Sequence, residues 1–243
     1  MNLFDFLFPP VCPHCGTHVQ QQGDWCDACI EEVLHVRQVP SKLLSSLDSA
    51  WILADYRGGI KSMIYDVKFN EKKEQSKGAA PFLASYNLRM HDYRPHYVIP
   101  IPSSAEKKKV RGYNQVDLFF YDWVFSFSNS NRIDGRSSVD SVNGVMEYNT
   151  EKEVCYKWFD CLYKMDTHKE MWSLSSSERH STIDKAFMWK ETSDFSLLYD
   201  KRILLVDDIF TTGATLESAA RILRAYHPQY IEALTLASGS FLK

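Results

Sequence analysis

Ile203-Leu-Leu-Val-Asp-Asp-Ile-Phe-Thr-Thr-Gly-Ala-Thr215 is the stretch that decides how this chain folds. Residues 201–206 form an apolar run of buried-strand type that delivers two adjacent acids, Asp207 and Asp208. A threonine and glycine turn follows, and then Leu216, Ala219, Ala220 and Leu223 recur at helical spacing within 216–226. A last apolar run, 231–237, completes a strand, loop, helix, strand unit. Such units build parallel sheets, whose ligands bind beyond the carboxyl ends of the strands. The expected class is therefore α/β, a parallel sheet flanked by helices.

Successive strand residues point to opposite faces, so Asp207 and Asp208 cannot both enter one core, and at least one should face ligand or solvent. Beyond them, Thr211, Thr212, Gly213 and Thr215 bring backbone N–H groups and hydroxyls to a helix N-terminus, with Gly213 able to take a left-handed backbone. Unpaired amides and the helix dipole favour an anion there, and a phosphate fits. Carboxylates are wrong partners for phosphate but suit ribose hydroxyls, directly or through Mg²⁺. Together they describe a site for a 5-phosphorylated ribose. The competing reading is a plain N-cap turn, which needs one such residue rather than two acids and three threonines around a glycine. The Gly-Lys-Ser/Thr ending of a nucleotide triphosphate loop is missing, which argues against hydrolysis of that type.

Outward from this unit, residues 51–56 read as a strand, 60–69 as a helix through Ile60, Met63, Ile64 and Val67, and 97–101 as a short buried strand. That strand leads through Pro100 and Pro102 into Lys107-Lys-Lys-Val-Arg-Gly-Tyr-Asn-Gln115. Lys109, Arg111 and Gly112, in a turn after a parallel strand, could neutralise pyrophosphate; the alternative is a solvated basic turn. A helix is expected from Asn114 through Val124, and the polar stretch 126–149 reads as a long loop.

At the other end, Cys12-Pro-His-Cys15 and Cys26-Asp-Ala-Cys29 are two Cys-x-x-Cys pairs, a spacing suited to one tetrahedral Zn²⁺ held by four thiolates. Four ligands leave no open position, so the zinc would be structural. The competing reading is four unligated buried thiols. His14, His18 and His35 are taken as surface residues, and Cys155 and Cys161 as core or helix-face residues. The boundary near Pro40 divides the chain into a zinc module, 1–40, and a larger domain, 41–243. Removing zinc should melt the module and spare the sheet.

The chain has 243 residues, 44% hydrophobic and 24% charged, with net charge −3, an ordinary globular composition without overall attraction for polyanions. Its apolar runs are too short to cross a bilayer, and its start lacks the basic region of a signal peptide. A cytoplasmic protein without membrane insertion is expected.

Val206-Asp-Asp-Ile-Phe-Thr-Thr-Gly-Ala-Thr215 resembles the phosphoribosyl pyrophosphate (PRPP) signature of type I phosphoribosyltransferases. The resemblance implies that Asp207 and Asp208 hold the ribose hydroxyls, and that the Ala214 and Thr215 amides with Thr211 and Thr212 hold the 5-phosphate. Purine-salvage members carry an aspartate where Thr211 stands, and threonine cannot act as a general base at neutral pH. With Arg111-Gly-Tyr-Asn-Gln115 and the paired cysteines, the whole chain resembles the ComF family of competence-related, phosphoribosyltransferase-like proteins. Lys164, Thr167, Leu174, Arg179 and Ala186-Phe187 follow that family's spacing, while Lys164 and Asp166 replace an arginine and its neighbour, and Glu170 a glutamine. The resemblance implies PRPP or ribose 5-phosphate as ligand, Mg²⁺ accompanying it, and a part in natural competence, the handling of incoming single-stranded DNA beside a helicase. Two alternatives stand beside it: an active phosphoribosyltransferase on an unidentified acceptor, and a catalytically silent regulatory protein.

Overall fold

The computed structural model describes residues 9–21, 23–89, 94–133, 156–165, 187–190 and 193–239. In chain order the elements are α1 (Asp27–Val33), β1 (Leu34–Gln38), β2 (Ser49–Asp55), α2 (Gly58–Phe69), α3 (Ala80–Arg89), β3 (Tyr97–Pro100), α4 (Ala105–Arg111), α5 (Gln115–Ile133), β4 (Lys157–Trp158), β5 (Leu162–Lys164), β6 (Phe187–Trp189), β7 (Arg202–Phe210), α6 (Ala214–Arg224) and β8 (Tyr230–Ser238). A six-stranded sheet runs β1-β2-β8-β7-β3-β4, and β5 pairs with β6 in a separate ribbon. Only β1 is antiparallel to its neighbour in the large sheet; the other four pairings are parallel.

Strand alternation sends side chains into two cores. From β7, Leu204 and Val206 join one core with Ile60, Met63, Ile64 and Val67 of α2, Phe82 of α3, and Phe119 and Phe120 of α5. Ile203 and Leu205 join the other, against Leu216, Ala219, Ala220 and Leu223 of α6. Both sheet faces are thus covered, which explains the near-continuous apolar runs of the parallel strands.

The chain order produces a switch. After β3 the chain moves outward through α5 to β4, whereas after β7 it moves back through α6 to β8. Because α5 and α6 pack on opposite faces, the loops after β3 and β7 diverge and leave a crevice between them.

Three expectations differ from the structure. The acids were expected where the strand ends, but β7 continues to Phe210, paired with Ser238, so Asp207 and Asp208 lie inside it. The basic run was expected as a turn, but residues 105–111 form α4, capped by the Ser104 hydroxyl facing the Lys107 amide at 3.4 Å. Five charged helix formers and no buried face hid that helix from periodicity. Part of the stretch expected as a loop, 126–133, belongs to α5; residues 134–149 lie outside the described residues.

The linker before β2 is pinned to α6. The Glu217 carboxylate accepts from Ser45 N–H (3.1 Å), Ser45 Oγ (2.7 Å) and Ser46 N–H (2.7 Å). Burial alone would raise its pKa, but these donors prevail and hold it below the usual range. The stabilisation is therefore complete above the unfolded-state pKa and lost as pH falls through the lower folded value. Glu217→Gln should cost about 1 kcal/mol at pH 7 and almost nothing near pH 3, read from urea unfolding at both. An equal loss at both pH values would contradict this.

Candidate ribose-phosphate site and zinc ribbon

At the crevice, the N–H of Ile101 donates to the Val206 carbonyl (2.9 Å), which ties the loop after β3 to β7 just before the acids. Asn114 and Gln115, both buried, shape that loop. Ser103 Oγ lies 2.9 Å from Asn114 Oδ1 and 2.7 Å from Gln115 Oε1, and Asn114 Nδ2 donates to the Ile101 carbonyl. Arg111 donates to Gln115 Oε1 (2.9 Å) and lies over the Phe69 ring, 5.0 Å from its centroid. Lys109 and Gly112 are exposed, and Gly112 ends α4 in a left-handed conformation.

After β7, Gly213 is the N-cap of α6 with φ +80°. A Cβ there would sit 2.9 Å from Cζ of Phe210, so geometry and space both require glycine. Thr211 and Thr212 are exposed, and the Ala214 N–H makes a long contact, 3.4 Å, with the Thr212 hydroxyl. The amides of Thr215 and Leu216 have no acceptor among the described residues. The first turn of α6 thus presents donors beyond the sheet, a geometry that accepts a phosphate.

The two acids part company. Asp207, half-buried on the α6 side, accepts from the Asp208 N–H at 2.8 Å. Burial first, then the neighbouring Asp208 charge, push its pKa up to about 8, against the opposing pull of that N–H, Lys68 and Lys164. Asp208 lies on the α2 side, only 3% exposed, with Oδ1 2.8 Å from Lys68 Nζ. Its other oxygen, Oδ2, is buried and has no hydrogen-bond partner among the described residues. Both sheet faces are covered, so Asp208 is buried, while Asp207 keeps part of its surface open.

Lys68 went unremarked in the sequence. It follows Ile60 and Ile64 on one i, i+4 row of α2, so a lysine at a core-facing position was the available signal. Lys164 was singled out only for its spacing. A bridge between Ser104 and Lys164 sets it beside the loop after β3, where its charge acts on Asp207.

Two carboxylates that chelate one divalent cation must turn their oxygens toward a common point. These acids leave opposite faces of β7 and Lys68 already meets Asp208, so the pair does not form a two-carboxylate metal site in this arrangement. Two surface hollows elsewhere, lined by Trp25 and Pro81 and by Tyr121 and Trp158, do not include these groups.

The N-terminal cysteines behave as expected. The four sulfurs of Cys12, Cys15, Cys26 and Cys29 lie within 4.8 Å of one another, and those of Cys15 and Cys26 are 3.6 Å apart. Four thiolates about 2.3 Å from a zinc ion stand roughly 3.8 Å apart, so the set fits a closed structural zinc. The Cys15 thiol is held down to about 6, chiefly by the Thr17 hydroxyl 3.2 Å away, which favours the thiolate that binds metal. His14, His18 and His35 are exposed and Cys161 is buried, as expected; Cys155, Asp166, Thr167, Glu170, Leu174, Arg179 and Ala186 lie outside the described residues.

Two family models match the chain. The phosphoribosyl transferase domain matches residues 86–240 and the double zinc ribbon domain residues 3–40. Competence protein F of Haemophilus influenzae is 25% identical over 233 residues, which cover 94% of this chain and 84% of that protein. The family resemblance drawn from the sequence is borne out. Among the described residues no helix is long and apolar enough to cross a membrane.

Proposed function

Because the chain belongs to the phosphoribosyl transferase domain family, we propose that it binds a 5-phosphorylated ribose of the PRPP type in the crevice between β3 and β7. The observation that carries this reading is the left-handed Gly213, which turns the acid-bearing strand into α6 with its first amides unspent. The Ala214 and Thr215 amides, with Thr211 and Thr212, hold the 5-phosphate, and the edge formed by Asp207 and Asp208 meets the ribose hydroxyls. Lys109 and Arg111, spaced by α4 and its Gly112 cap, neutralise the pyrophosphate, and Mg²⁺ enters with that group. Transfer to an acceptor would rest on positioning and electrostatics, since Thr211 offers no general base.

Calorimetry with PRPP and Mg²⁺ tests the site. The wild-type protein should release heat of binding, and both Asp207→Asn/Asp208→Asn and Gly213→Ala should weaken affinity at least tenfold. No heat from wild type rejects the reading.

The relative's name supports a part in competence for this chain, and we propose that this part is the handling of single-stranded DNA beside a helicase, in the cytoplasm. One surface favours DNA contact. Tyr65 and Phe69 are exposed with ring centroids 4.9 Å apart, and Arg111 of α4 stands over the Phe69 ring. Exposed rings beside cations suit unstacked bases. A gel shift with single-stranded oligonucleotide should weaken steeply with salt. Binding that is indifferent to salt, or no shift, would contradict this.

A further inference from the structure

We propose that Lys68 takes the place of a divalent cation at the acidic pair, so that the ribose diol is gripped without metal. The inference rests on the ribose-phosphate reading and adds to it a positioning residue that acts through Asp208. Three observations carry it.

The carboxylates of Asp207 and Asp208 diverge across β7, which denies a metal the two convergent ligands it would need from them. The ammonium of Lys68 already stands 2.8 Å from Asp208 Oδ1, with the lysine side chain 17% exposed and that of the aspartate 5%. Asp208 Oδ2 is left buried without a partner among the described residues. A buried carboxylate oxygen with no donor is costly and marks a place where a donor is missing. A sugar hydroxyl is a donor of the right kind.

Lys68 does two things in this arrangement. It sets a positive charge 2.8 Å from Asp208 Oδ1, where a bound cation would otherwise stand. Its contact with Oδ1 fixes the carboxylate so that Oδ2 is the free acceptor. Oδ2 is enclosed, and the neighbour best able to shift is the lysine itself, which has four rotatable bonds and lies at the last turn of α2. A hydroxyl therefore enters as the lysine side chain swings while keeping its ion pair. Mg²⁺ is confined to the pyrophosphate of PRPP, and a ligand lacking pyrophosphate needs none.

Ribose 5-phosphate, which lacks pyrophosphate, is the discriminating probe. Its affinity for the full-length protein is measured by calorimetry in EDTA and in millimolar Mg²⁺, for wild type, Lys68→Met and Lys68→Arg. Wild type should bind with less than a twofold difference between the two conditions. Lys68→Met should bind at least tenfold more weakly in EDTA and in Mg²⁺ alike, because the diverging acids give the metal no seat, while Lys68→Arg, which keeps the cation, should bind within threefold of wild type in both. A lysine needed only for stability would leave the affinity of the folded Lys68→Met protein unchanged. Wild-type binding that strengthens tenfold or more with Mg²⁺ overturns the inference whatever the variants do, as does a Lys68→Met protein that binds like wild type in EDTA. If wild type binds neither PRPP nor ribose 5-phosphate in any condition, the ribose-phosphate reading itself falls, a result distinct from both.

Discussion

Stripping zinc from the protein is expected to unravel residues 10–33 and to loosen α2 and α3 with them, while the parallel strands remain. Metal binding in a module this small is folding free energy, on the order of 10 kcal/mol in zinc-finger peptides. The module is not freestanding. Cys12, Val19, Trp25, Cys29 and Val33 share one core with Met63, Phe82 and Leu83. The Trp25 indole donates to the Gly78 carbonyl (3.0 Å), and its ring meets Phe82 edge-on at 5.2 Å. A Cβ on Gly59 would fall 2.4 Å from His14 Cβ and 2.7 Å from the Trp25 ring, so the module sits hard against the first turn of α2. Hydrogen exchange after chelation should therefore show lost protection in residues 10–33 and a partial loss in 58–89. Lost protection confined to the module would show that this packing transmits nothing, and a metal assay finding no zinc would remove the premise.

Asp208→Ala should be among the most damaging single substitutions in the sheet, at about 3 kcal/mol, or roughly 10 °C in melting temperature for a chain of this size. It leaves the Lys68 ammonium half-buried with its 2.8 Å partner removed, at the point where α2 meets β7. Lys68→Met should cost a similar amount, because it strands a carboxylate that is only 3% exposed. The double variant Lys68→Met/Asp208→Leu should recover much of the loss, since replacing both members of a buried pair is commonly close to neutral. A double-mutant cycle by urea unfolding gives the coupling, expected to exceed 1 kcal/mol. Simple additivity would show that the pair contributes nothing as a pair.

What could be read in the sequence follows from how local each signal was. The continuous apolar run 203–206, the glycine at 213 and the row Leu216, Ala219, Ala220, Leu223 lie within one unit, and the β7, α6, β8 path appeared from them alone. The zinc ligands were equally plain, because chelation by two knuckles imposes a spacing. Lys68 and Asp208 are 140 residues apart, and no periodicity brings them together. The inward turn of Asp208 was likewise hidden, since it depends on α2 covering a face that β7 does not itself specify. Local propensity misled in α5, where Ser126, Ser128, Asn129 and Asn131 suggested a loop and the helix nonetheless continues to Ile133.

Crystallising the protein with PRPP and Mg²⁺ would interrogate the crevice itself. The 5-phosphate should lie against the amides of residues 214 and 215, with the ribose turned toward Asp207 and Asp208 and the metal on the pyrophosphate rather than between the two acids. Density for the sugar phosphate anywhere else on the molecule, or a crevice left empty at saturating ligand, would contradict the assignment.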